Sequence, residues 1–238
     1  MRNDIIVLIL TTMVSFPIGL ALGQAWLLPV LNALPVYIVL VHRLRKGERG
    51  GAVRTAIWWA GALAIAGTVC LALWPGETET LVLNGPEYRD AMLEWIRTGR
   101  GTEGSLGVFL PRQLLQLALF SVLSLATASA LSIVMGAAML NYMSFYVAGL
   151  LKAGVPAWGV LLLGWQPWTI SRMAAFCALG VVLAEPLVFR LFPTARQNLK
   201  VVGRAPYYVA ALTGIAAGWI LQAALAPLWG RWLRALLP

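Results

Sequence analysis

The segment IIVLILTTMVSFPIGLAL, residues 5–22, carries no charged side chain, and it decides the solvent in which this chain folds. As a helix rising 1.5 Å per residue it is about 27 Å long, close to the ~30 Å hydrocarbon core of a bilayer. It exceeds the ~7–15-residue apolar core of a signal peptide, although Ala21-Leu22-Gly23 faintly resembles a cleavage site. It therefore reads as a first membrane span.

The rest of the chain agrees. Hydrophobic residues make up 60% of the 238 positions and charged residues 11%, against about 25% charged in soluble domains. A chain this apolar cannot cover itself in water. The fold class expected is all-α: a polytopic transmembrane bundle of about seven spans forming one integral membrane domain, 1–238.

Working outward from the first span, a second apolar run covers Trp26–Val41. Pro17, Pro29 and Pro35 interrupt the pair, so residues 5–41 read as two tilted spans, with a re-entrant hairpin as the alternative. The following loop holds Arg43, Arg45, Lys46, Arg49 and Arg54 against Glu48 alone. Basic loops stay on the cytoplasmic side, which sets the N-terminus inside. A third span is expected at 56–74.

Residues 75–112 form an extracytoplasmic hydrophilic loop holding Glu77, Glu79, Glu87, Asp90, Glu94 and Glu103. Within it Asn84-Gly85-Pro86-Glu87 has the chemistry of a helix start, with proline early and an acid in the first turn. Tyr88, Met92, Trp95 and Ile96 then share one face, and Gly99 and Gly101 supply a stop. The spacing predicts a short amphipathic helix on the outer membrane face or capping the bundle. Glu87, Asp90 and Glu94 share another face and read as a solvated one.

Further spans are expected at 114–137, 142–166, 173–192 and 207–229. A turn is expected near 139–141, and a second basic loop carries Arg196, Lys200 and Arg204. A rival division makes 142–154 an interfacial helix. Gly19-Leu-Ala-Leu-Gly23 and Gly214-Ile-Ala-Ala-Gly218 fit the small-xxx-small spacing of close helix packing.

The net charge of +9 lies in short loops between apolar runs, which suits membrane orientation and argues against nucleic acid. His42 is the only histidine, and Cys70 and Cys177 lie inside apolar runs. That leaves no zinc spacing and no Ser–His–Asp triad, so no metal or cofactor is expected. Membrane lipids are the expected surroundings, with protein subunits or a homo-oligomer as partners.

Glu185 is the only acid inside an expected span. It sits about 10 Å from the cytoplasmic end, where a carboxylate must be paired, neutralised or wet. Pro186 beside it leaves the Val182 carbonyl without its usual donor. Lys152, about 15 Å from the same face and followed by Pro156, is the partner that the spacing proposes. Asn141 and Arg172 are secondary candidates, with Tyr142, Ser144, Gln113 and Gln116 as weaker cavity-lining polar groups.

Three functions fit these features. A small-solute transporter or permease component would use an intramembrane polar site at Glu185. A non-catalytic subunit, anchor or assembly factor would dock through the amphipathic helix. An intramembrane enzyme on lipid substrates would need Glu185 to activate water, and one acid without histidine makes catalysis the least favoured. The expected location is a plasma membrane, the bacterial inner membrane, with the N-terminus cytoplasmic and loop 75–112 extracytoplasmic.

Overall fold

The computed structural model describes residues 2–74, 78–101, 103–193 and 203–238. Glu77, Arg196 and Lys200 lie outside the described residues. Those described form nine helices and no strand: α1 (Arg2–Ala21), α2 (Leu27–Arg45), α3 (Arg49–Leu73), α4 (Gly85–Thr98), α5 (Leu106–Thr127), α6 (Ala130–Lys152), α7 (Ala157–Leu163), α8 (Pro167–Leu191) and α9 (Ala205–Leu236). All but α4 and α7 are long and apolar enough to cross a membrane. The protein is a multi-pass helix bundle.

Residues 5–41 fall into two membrane-length helices, α1 and α2, rather than one re-entrant unit. Pro17 and Pro35 sit inside them, as membrane helices tolerate when neighbours satisfy the freed backbone groups. Asp4 at the start of α1 meets Arg43 near the end of α2, so both lie at one end of the bundle, here the basal end. The other, capped end carries α4.

The middle of the chain divides differently from the sequence expectation. The turn between α5 and α6 falls at Ala128 and Ser129, both with left-handed backbone, about ten residues before 139–141. Residues 142–152 are the second half of α6, not an interfacial helix. No glycine or proline marks this turn. Serines hold it instead: Ser129 Oγ donates to the Gly180 carbonyl of α8 at 2.7 Å, and Ser124 Oγ to Ser132 Oγ at 2.8 Å.

α6 and α8 form the centre of the bundle, and α5 stands outermost, presenting Leu114, Leu115, Leu119 and Val122 outward. Apolar exposure of this kind suits lipid. Lipid gives no hydrophobic reward for helix–helix contact, so close packing and polar links must hold the bundle. Gly218 shows the first. A Cβ added there would stand 2.5 Å from Arg172 Cγ and 3.1 Å from the Trp168 carbonyl oxygen. The Gly214–Gly218 stripe thus seats α9 on α8 within the chain.

A buried amide network shows the second. Asn32 Nδ2 of α2 donates to Asn141 Oδ1 of α6 at 3.1 Å, and Ser15 Oγ of α1 donates to Asn32 Oδ1 at 3.0 Å. Trp59 Nε1 of α3 donates to the Asn32 carbonyl at 2.8 Å. Asn32 therefore ties four helices together.

Replacing Asn32 or Asn141 with alanine is expected to lower unfolding free energy by about 1 kcal/mol each, the range of interhelical hydrogen bonds in membranes. The double variant should lose less than the sum of the two, because both remove one shared bond. Unfolding of the three variants in mixed micelles measures this, and strict additivity would show the amides uncoupled.

Candidate functional site

Three polar assemblies occupy the bundle: the amide network, an ion cluster at the basal end, and a cavity whose polar lining lies toward the capped end.

The ion cluster is centred on Glu185, fully buried six residues before the end of α8. Its Oε1 accepts from Arg49 Nε at the first turn of α3, and its Oε2 accepts from Arg49 Nη2 at 2.9 Å. Oε2 also accepts from Arg204 Nε, just before α9, at 2.7 Å. Arg49 faces the Tyr207 ring and Arg204 faces the Phe189 ring. One carboxylate thus joins α3, α8 and the start of α9, with a bidentate guanidinium as the strong partner.

Lys152 is not that partner. It is the last residue of α6 and exposed at the capped end, with Pro156 just beyond it as the cap of α7. Glu185 lies at the opposite end of the bundle. The physical reason is the early α5–α6 turn, which shifts Lys152 from the expected span interior to a helix terminus. Pro186 is exposed beside Glu185.

The cavity holds about 540 Å³, within the ~300–1,000 Å³ of pockets that enclose a drug-sized ligand. It lies between α5 on one side and α2, α3, α6 and α8 on the other, with α4 at its mouth. α5 packs on α6 and α8 and makes at most glancing contact with α2 and α3, so the cavity separates it from those two helices. Sulfur and aromatic side chains line its deeper part, among them Met135, Met139, Phe120 and Phe176.

Polar groups gather nearer the mouth. Arg172 is buried five residues into α8, and its Nη1 donates to the side-chain oxygen of Gln222 on α9. Gln222, also buried, donates in turn from Nε2 to Glu103 Oε2 at 2.7 Å. Glu87, Arg112, Gln113, Gln116 and the tilted Tyr88–Tyr142 ring pair complete this region. Burial pushes the Glu103 carboxyl above the ordinary range, an effect partly opposed by the Arg172 charge and the Trp168 indole. The same burial raises Tyr88 well above the usual phenol.

The structure thus brings Arg172 to the cavity, gives Asn141 to the amide network, and places Glu185 elsewhere. Val181, on the cavity floor, and Glu185 stand four residues apart on one face of α8. The ion cluster therefore lies one helical turn below the floor. Sequence reasoning did not foresee Arg49 and Arg204 as ligands of Glu185, nor Glu103 reaching Gln222. Partners 136 and 119 residues apart in sequence leave no local spacing to read.

Comparison with known proteins finds no relative: no protein-family model, no curated protein and no solved structure matches the chain.

Glu185→Gln removes the charge that two arginines share, and breaking such a buried pair costs about 3 kcal/mol. Arg204→Gln should cost much less, because that side chain is 41% exposed and Arg49 still neutralises the carboxylate. Thermal unfolding of the two variants checks the order, and equal losses would refute it.

Proposed function

We propose that this multi-pass membrane protein is a small-solute transporter or permease component whose substrate occupies the cavity beneath α4. The observation that supports it is the placement of the cavity floor one turn above a buried ion cluster. A carrier needs a site reachable from one side and a closure on the other that differential contacts can open. Here the mouth lies under α4, while Arg49, Glu185 and Arg204 bind three helices together beneath the floor.

In this reading Glu185 is a gate residue rather than a ligand of the substrate. The basic loop 43–54 sets the basal end in the cytoplasm, so the cavity opens to the extracytoplasmic side of a plasma membrane. The subunit reading leaned on α4 as a docking helix. Met92, Trp95 and Ile96 of that face are buried within this chain, packed with Tyr146 of α6 and Leu233 of α9.

Gly136 supplies the test. It lines the cavity, and a Cβ added there meets nothing within 4 Å. Gly136→Leu should fill the space without straining the fold. Purified protein in liposomes is expected to take up one class of labelled solute from a panel of anionic, cationic and neutral amphiphiles, saturably. Gly136→Leu should reduce that uptake at least about tenfold, the scale of a lost binding contact of ~1.4 kcal/mol, with its melting temperature unchanged. Uptake no faster than in empty liposomes would overturn the transporter reading, and a stoichiometric protein partner in native mass spectrometry would then favour the subunit.

A further inference from the structure

The polar end of the cavity is rich in donors and holds one deep acid, which comes from a connector rather than from a helix. Gln222 turns its oxygen to Arg172 and its amide N–H to Glu103, so the amide orientation is fixed for an anionic acceptor. Arg172 carries five guanidinium donors, and the hydrogen bond it makes among the described residues is the one to Gln222. The Trp168 indole N–H is wholly buried and faces Glu103. Such a donor would lose its acceptor if Glu103 left, and an incoming anion would restore one.

Glu103 belongs to the segment between α4 and α5. Gly99 and Gly101 precede it with φ of +73° and +136°, a backbone region that favours glycine, and Gly104 follows. The segment thus has the backbone freedom to withdraw the carboxylate. Arg172 lines the cavity, while Gln222 and Trp168 stand behind Glu103, so its withdrawal would turn their donors toward the cavity with no acid at that depth, since Glu87 is exposed at the mouth. Beyond them lies the wall of methionine and aromatic side chains.

We infer that the ligand of this cavity is a single-chain amphiphile with an anionic head, and that Glu103 is a tethered carboxylate standing in for that head beside Arg172. The ligand's head displaces Glu103, takes the donors of Arg172, Gln222 and Trp168, and lays its chain against Met135, Met139 and Phe176. The inference rests on the cavity being the substrate site proposed above, but it concerns occupancy and not flux.

Protonation should assist the exchange, since a neutral Glu103 competes weakly for Arg172. The titratable groups facing Glu103 are Arg172 on α8, Tyr88 on α4, and Tyr142 and Tyr146 on α6. The raised carboxyl gives the sign: affinity for an anion rises as pH falls through its range.

The test uses the full chain in nanodiscs of zwitterionic lipid, with dansylamino-undecanoic acid as probe and its uncharged amide as control. The acid is expected to bind saturably and at least about tenfold more tightly than the amide, as one hydrogen-bonded charge implies. Glu103→Gln should tighten the acid several-fold and abolish the pH dependence that an alkyl sulfonate competitor shows in the parent protein. Arg172→Gln should weaken the acid and leave the amide unchanged, with Arg172→Lys intermediate and serving where the glutamine variant fails to fold. Millimolar acetate should not compete. Equal binding of acid and amide, or weaker acid binding in a stably folded Glu103→Gln, would overturn the inference. Competition by acetate would replace the amphiphile with a small free anion. Binding without uptake would leave this inference standing and sink the transporter reading alone.

Discussion

A carboxylate shut away from water has to be neutralised where it stands, and Glu185 is neutralised by arginines that reach it from elsewhere in the chain. That requirement fixes the basal end. Arg49 opens α3 and Arg204 precedes α9, so satisfying one side chain on α8 sets the position of two further helices. A single hydrophobic contact in lipid has no comparable hold, because the tails that would replace it are equally apolar. The desolvation cost of Glu185 and Arg49 is met by this geometry, which makes alternative registers of α3 against α8 expensive.

With the basal end clasped, the helices are free to diverge elsewhere. α5 illustrates this. Its first turns stand away from α2 and α3, and it is held mainly at its far end, where Ser129 grips the Gly180 carbonyl and Ser124 meets Ser132. Phe120 packs on Phe176 just above that point. The cavity is therefore the space between a helix anchored near its C-terminus and a core tied through Asn32 and Asn141. Its floor is apolar because it lies near that anchor. Its mouth is polar because α4 and the connector carrying Glu103 come over it.

Fold class and the number of membrane-length helices were legible because both depend on run length and charge, which are properties of contiguous residues. The amphipathic α4 was legible for the same reason: Met92, Trp95 and Ile96 fall on one face by spacing alone, and that face is buried. The α5–α6 turn was not, since Thr127-Ala128-Ser129-Ala130 has neither glycine nor proline and is held by serine side chains, one of them reaching the Gly180 carbonyl of α8. That one displaced turn carried Lys152 from the interior to the capped end and dissolved the expected Lys152–Glu185 pair. Glu185 was legible as a group needing a partner, but its partners were not. Charge neutralisation states how many partners are needed, and only the tertiary fold states which.

The stretch of α8 between floor and clasp is the weakest part of that helix. Pro186 has no backbone N–H, so the Val182 carbonyl lacks its usual donor in the very turn that separates Val181 from Glu185. A helix missing that bond bends at lower cost than its neighbours. The proline lowers the cost of bending at that point, and the shared carboxylate ties the end of the helix to Arg49 and Arg204.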